Sequence, residues 1–397
     1  MRPDITLIFP SSPFLLDEKV FPPLGIMYLS AYLKKCGFSV QCIDLASEEL
    51  DVQADIVGIS FTTPQRNEAF RLAQILRKRK TLIAGGPHPT FMKRECLERG
   101  FDYVIEGAGE IKLARLLRSL TGKRIKFIPI NDPDEIPFPD RDCIDLKNYK
   151  YFLNGAETTP ILTSRGCPYR CAFCSKMPFK VKFQSPKRIA EEIFLVEKRY
   201  GYRSFMIFDD IFILKEKRLE DLYSILGSSY QFRCFVRADL VNERICEILR
   251  KLGVVEVGIG IESGSDKILK INRKGTTSIQ NSLAVKILHS FGIRVKAFII
   301  IGLPGETEET VEETREWLLR NPVEDVDITI FQPYPGSAIF ANPETFGVKF
   351  SYDGNSWYKG RPGFYKSSCD TKTLSRNRIT ELRDKLELEF KKFSSGS

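Results

Sequence analysis

No run of about 20 apolar residues occurs in this chain of 397 residues, so a membrane-spanning helix is not expected. The start, Met1-Arg2-Pro3-Asp4-Ile5, passes directly into a strand-like run and lacks the regions of a signal peptide, and the expectation is a soluble, cytoplasmic protein. Repeats and low-complexity tracts are also missing, and a hydrophobic content of 43% supplies real cores for two or three domains. No loop carries the G-x-G-x-x-G pattern of dinucleotide sites. Histidine is scarce, with only His88 and His289. The ten cysteines form no disulfide framework, because three are clustered and the rest scattered, which fits a reducing cytosol with metal chemistry. The formal charge of +9 is spread over many helices rather than gathered in one stripe, which reads as a solvated surface and argues against a nucleic-acid partner.

What the chain does hold is the triplet Cys167, Cys171 and Cys174, spaced C-x3-C-x2-C directly after an apolar strand-like stretch. Three thiolates on one loop can hold three corners of a 4Fe-4S cluster and leave its fourth iron open to another ligand. A structural zinc site would need four Cys or His ligands, and no fourth follows within the next 50 residues.

Residues 1–125 alternate β-rich runs with helical periodicity. Strands are predicted at Ile5–Phe9, Val40–Asp44, Asp55–Phe61, Thr81–Gly85 and Tyr103–Glu106, with helices near 25–36, 67–79, 91–99 and 110–120. This describes a five-stranded, doubly wound parallel sheet, Rossmann-like, which binds ligands beyond the carboxyl ends of its strands. Residues 126–157, rich in proline between Asn131 and Asp140, read as a linker. A second α/β series fills 158–335, with strands near 159–165, 205–210, 231–237, 255–262, 295–302 and 326–332; six such units make a partial (βα)6 barrel. Residues 336–397 read as a small mixed segment bordering the substrate, with a helix near 374–393 and a tail at Ser394–Ser397. Tyr334, Trp357, Tyr358 and Phe364 are candidate pocket walls there, and Arg361 a candidate for an anionic group.

The barrel strands end in polar residues where chemistry is expected. Asp209 and Asp210 can accept hydrogen bonds from an ammonium group or a ribose. The Arg237 guanidinium suits a carboxylate. Glu262 follows an apolar run and costs stability unless paired, so ligand binding is its expected role. The turn Gly302-Leu303-Pro304-Gly305-Glu306 can pass under a flat ring.

With the Cys triplet in front of them, these strand ends resemble the radical S-adenosylmethionine superfamily. The resemblance implies that Cys167, Cys171 and Cys174 bind the 4Fe-4S cluster. It also implies that Phe173, Asp209, Asp210, Arg237, Glu262 and Ile301 border S-adenosylmethionine. The first domain resembles the cobalamin-binding domains of the same superfamily through Phe21–Leu29, Gly85–Thr90 and Glu106–Glu110, although Ala108 stands where that family more often has Glu. Cobalamin contacts are implied for Pro23, Leu24, Gly25, Thr62, Gly85, Gly86, His88, Gly107 and Gly109. Neither histidine lies in a D-x-H-x-x-G motif, so cobalt is expected to lack a histidine ligand, with His88 a loop residue touching the corrin or its tail. The implied activity is C-methylation: reductive cleavage of S-adenosylmethionine gives a 5′-deoxyadenosyl radical, an unactivated carbon loses hydrogen, and methylcobalamin supplies methyl. An electron donor such as flavodoxin or ferredoxin, and a small-molecule, lipid or peptide substrate, are the implied partners. Two alternatives stay open: a cobalamin-dependent cyclase, oxidase or rearrangement enzyme, and a methylthiotransferase.

Overall fold

The computed structural model describes residues 2–12, 15, 17–177, 180–351 and 366–391. Trp357, Tyr358, Arg361, Phe364 and Ser394–Ser397 lie outside them. The chain forms two compact units, divided between Tyr151 and Phe152. Among the described residues, no helix is long and apolar enough to cross a membrane.

The first unit is built on five strands, β1 (Ile5–Phe9), β2 (Val40–Asp44), β3 (Ile56–Ser60), β4 (Thr81–Gly85) and β5 (Tyr103–Val104). All are parallel, in the order β2-β1-β3-β4-β5. The order reverses at β1, which puts the switch point between β1 and β3. Period-two alternation divides the side chains between two cores. Ile5 and Leu7 pack with Ile26, Met27 and Leu33 of helix Leu24–Cys36, whereas Ile8, Val57 and Ile59 pack with Ala69, Leu72 and Ala73 of helix Arg66–Leu76. The helix predicted near 91–99 is instead two short ones, Pro87–Phe91 and Lys93–Glu98, meeting at Met92. His88 therefore sits on a helix rather than on a loop.

Residues 126–151 are not a free linker. Proline prevents regular structure there without preventing burial: Ile144 and Tyr149 enter the first core, and Phe127, Ile128, Ile130 and Leu146 pack against it. Tyr32 donates to the Ile128 carbonyl at 2.6 Å, Ser30 and Lys34 both bind Asp140 at 2.6 Å, and Tyr149 donates to Asp44 at 2.5 Å.

The second unit carries β6 (Phe152–Leu153), β7 (Ala156–Ile161), β8 (Ser164–Arg165), β9 (Lys182–Phe183), β10 (Ser204–Ile207), β11 (Gln231–Val236), β12 (Val254–Glu262), β13 (Arg294–Ile301) and β14 (Asp325–Ile330). Seven of these form one curled half-barrel sheet in the order β14-β13-β12-β11-β10-β7-β6, parallel except for the β6–β7 hairpin. That hairpin turns at Asn154 and Gly155, both with positive φ, as a two-residue turn requires. It starts the first barrel strand three residues earlier than 159. Crossover helices cover the outside; between Glu243–Leu252 and β12 stands Gly253, at φ +95, where any side chain would collide with the Tyr230 carbonyl. A small antiparallel pair, Val348–Phe350 with Cys369–Thr371, follows. Helix Arg376–Lys391 then lays Ile379, Leu382 and Leu386 on the barrel core.

Candidate functional site

The cysteine loop leaves β7 through Thr163 and Ser164, and Asp209 at the end of β10 holds both residues. Its carboxylate accepts from Thr163 N (2.7 Å), Thr163 Oγ1 (2.5 Å), Ser164 N (2.9 Å) and Ser164 Oγ (2.6 Å). Arg218 stands 3.9 Å behind and donates to the Thr163 carbonyl at 2.8 Å. Four donors and a cation offset the burial of this charge, although desolvation still pushes the carboxyl above its ordinary value. Asp209 thus has its lone pairs committed to the loop and does not face a ligand as expected. Asp210 is placed differently: its side chain is exposed, accepts from Gly166 N–H, and lies close enough to Cys167 and Cys174 to act on both electrostatically.

Ala172 pins the middle of the loop. Its N–H donates to the Asn272 carbonyl (2.9 Å), its carbonyl accepts from Ile339 N–H (3.1 Å), and it is buried with Ile268, Leu303 and Phe331. Phe173 packs against that cluster. Cys167 and Cys171 are half-buried and Cys174 is exposed. Burial raises the Cys167 thiol. Cys174 reaches solvent, yet the protein packed around it, then the like charges of Cys171 and Asp210, push its thiol up to about 12. Iron would displace these protons. Among the described residues no three His, Cys, Asp or Glu side chains converge where a single ion could sit. A lone zinc needs such convergence; a cubane takes each thiolate on a different iron, and the donor set fits it.

Glu262 ends β12 at φ +65, a left-handed conformation that costs a non-glycine residue about 1 kcal/mol or more. The register of β12 against β13 shifts between Gly260 and Glu262. The carboxylate is largely buried and binds Lys274 Nζ at 2.7 Å, and a side chain on Gly260 would collide with the carboxylate and stand 2.8 Å from that ammonium. Oε1 of Glu262 therefore has its partner within the protein. Lys274, in the loop Arg273-Lys274-Gly275, was not legible in the sequence, where nothing but its positive charge marks it.

Arg237 is also engaged within the protein. Its Nε faces Asp239 at 2.7 Å, Nη1 donates to Cys171 Sγ at 3.6 Å, Nη2 donates to the Lys274 carbonyl, and the guanidinium lies 3.8 Å from the centre of the Tyr169 ring. On β13, Ile301 points to the outer core with Ile299, and its carbonyl accepts from Phe331 N–H at 2.8 Å. Ile300, one residue earlier, is the side chain on the face with Ala172 and Phe173. The following turn is closed by Glu306, which accepts from Gly302 N–H at 2.5 Å and from Leu303 N–H; complete burial pushes its carboxyl up to about 8.

In the first unit the predicted loops meet at the carboxyl edge of the sheet. Gln65 ties two of them together, donating to the Pro10 carbonyl (2.7 Å) and Ser12 Oγ (2.9 Å) after β1 and accepting from Thr62 N (3.0 Å) after β3. Thr90 joins two more: its hydroxyl donates to the Gly86 carbonyl (2.8 Å) and accepts from Gly107 N–H (2.9 Å). Gly86, at φ +98, could carry no side chain beside Phe61, and a Cβ on Gly85 or Gly25 would meet nothing within 4 Å. Pro23 is buried, Leu24 half-buried and Gly25 exposed at the start of helix Leu24–Cys36, while Gly109 lies against Leu29. His88 is fully buried, with Nδ1 3.1 Å from Thr63 Oγ1 and Nε2 3.0 Å from Glu95, so its ring lies below the loop surface on which it was expected.

Two family models match the chain: the radical SAM superfamily over residues 161–318 and the B12 binding domain over residues 18–117. An uncharacterised methyltransferase of Pyrococcus horikoshii is 31% identical over 361 residues, covering 80% of this chain and 78% of that one. The anaerobic magnesium-protoporphyrin IX monomethyl ester cyclase of Rubrivivax gelatinosus is 28% identical, covering 81% of this chain and 66% of its own length. Among solved structures, the radical S-adenosylmethionine methyltransferase TsrM of Kitasatospora setae, with cobalamin and a 4Fe-4S cluster bound, superposes with a TM-score of 0.69 at 18% identity, covering 88% of this chain and 81% of that one.

Proposed function

Because the chain belongs to the radical S-adenosylmethionine superfamily and carries a B12-binding domain, with a 4Fe-4S cluster, S-adenosylmethionine and cobalamin as its cofactors, we propose that it methylates an unactivated carbon of its substrate. The 31% identity to a protein named as a methyltransferase carries this reading. When bound, the cofactors supply the radical and the methyl group. The chain's own part is placement. Asp209 fixes the cysteine loop through Thr163 and Ser164. Asp210 and Glu262 offer carboxylates to the ammonium and ribose of S-adenosylmethionine, and the backbone of the turn after Ile301 borders its adenine. Thr62, Gly85, Gly86, Gly107, Gly109 and the start of helix Leu24–Cys36 receive cobalamin. In this reading neither histidine would be a cobalt ligand: His88 is held by Thr63 and Glu95, and His289 stands beside Glu324 at 3.2 Å.

The test is anaerobic incubation of the reconstituted protein with reductant, methyl-labelled S-adenosylmethionine and metabolite extracts. Methylation carries label into one metabolite, which gains the mass of one CH2 unit. The cyclase relative supports a second reading, ring closure or oxidation without methyl transfer. A product that loses hydrogen and carries no label would establish it.

A further inference from the structure

We propose that Arg237 acts on the cluster through the sulfur of Cys171, making the cluster easier to reduce, rather than holding the carboxylate of S-adenosylmethionine. The inference rests on the reading of the cysteine triplet as a cluster site. Arg237 is 3% exposed, and its guanidinium is held on three sides: Nε in an ion pair with Asp239 at 2.7 Å, Nη2 donating to the Lys274 carbonyl, and Nη1 donating to Cys171 Sγ at 3.6 Å. Tyr169, two residues after the first cysteine, covers one face at 3.8 Å. Gly275, at φ +74, leaves room on the far side, where a Cβ would stand 3.1 Å from Nη2. Turning this fork towards a ligand would break several of these contacts together. Left in place, it delivers a fixed positive charge and one N–H to a cluster-ligating sulfur.

The direction of the effect follows from charge. One-electron reduction adds a negative charge to the cluster and spreads part of it onto the thiolates, so a donor and a cation held against one thiolate favour the reduced form. Burial removes the solvent that would screen them. Arg237 is thus a positioning residue for electron uptake.

The experiment is a mediated redox titration of the reconstituted full chain, read by electron paramagnetic resonance in the absence of S-adenosylmethionine, beside an equilibrium measurement of S-adenosylmethionine binding. In Arg237→Gln the cluster should assemble with wild-type iron content, and its reduced-to-oxidised ratio at a fixed potential should fall about tenfold, equivalent to about 59 mV for one electron. Arg237→Lys should fall between the two. Tyr169→Leu, which frees the guanidinium without removing it, should shift the potential in the same direction by less, and it carries the test if Arg237→Gln does not take up iron. Unchanged potentials in these variants, with S-adenosylmethionine affinity lost in Arg237→Gln, would overturn the proposal and return Arg237 to the cofactor. A wild-type protein that assembles no cluster would overturn the reading of the triplet itself, and this proposal with it.

Discussion

Lys274 Nζ lies 2.7 Å from Glu262 Oε1, and both side chains are largely withdrawn from water. The same lysine accepts a hydrogen bond from Arg237 at its carbonyl, so one loop residue touches two of the charged groups around the cysteine loop. A pair this buried is expensive to break from one side, because the charge left behind has neither partner nor solvent.

Glu262→Gln keeps the shape and a hydrogen-bonding oxygen but loses the charge. It should retain iron and weaken S-adenosylmethionine binding by roughly 10- to 150-fold, the loss of a charged hydrogen bond of about 1.5–3 kcal/mol. An unchanged dissociation constant, measured by equilibrium binding, would remove Glu262 from the cofactor site. Glu262→Ala should in addition lower stability, since it strands Lys274.

Asp209→Ala removes the acceptor for four donors and the anion facing Arg218. Stability should fall by on the order of 3–5 kcal/mol, read from the denaturant midpoint, and iron content should fall with it because the loop loses its anchor. Full iron loading with an unchanged midpoint would contradict this account.

Each of Cys167→Ala, Cys171→Ala and Cys174→Ala should abolish the brown chromophore and reductive cleavage of S-adenosylmethionine. Cys246→Ala, at a fully buried core position of the second unit, should keep both and cost some stability only.

Glu306 is buried and uncharged in the folded state below about 8, while the same group in the unfolded chain ionises near 4.3. The folded state therefore binds more protons between these values, and the stability contributed by this residue falls as pH rises through that window and is flat on either side. Glu306→Gln, of the same shape and always neutral, should flatten the slope measured by denaturation at several pH values. A slope identical to wild type would show that Glu306 is ionised in the fold.

His88→Ala should leave the electron paramagnetic resonance spectrum of the cobalt(II) form unaltered, because the ring is held by Thr63 and Glu95. Nitrogen superhyperfine coupling that disappears in that variant would make His88 a cobalt ligand.

The strands were legible because their β-branched runs are buried on both faces, and the site was legible to the extent that it sits at strand ends. The sequence offers Asp209 and Asp210 as equals, yet adjacent residues leaving a strand point in opposite directions, and Asp209 turns inward to Thr163 and Ser164. The same alternation separates Ile300 from Ile301. Lys274 and Tyr169 are side chains that loops bring to the site, and no periodicity announces such positions. Glu262 was recognised as a carboxylate needing a partner, whereas the identity of that partner depends on a loop twelve residues away.

The strap of residues 126–151 decides where the first unit can be cut from the second. If the cobalamin-binding module is transplanted or expressed alone, a cut after 125 strips Ile144 and Tyr149 from its core and leaves Asp44 without the Tyr149 hydroxyl. The packed unit is thus the five-stranded sheet together with its strap, and a chimera joined near 151 keeps a sealed core where one joined at 125 does not.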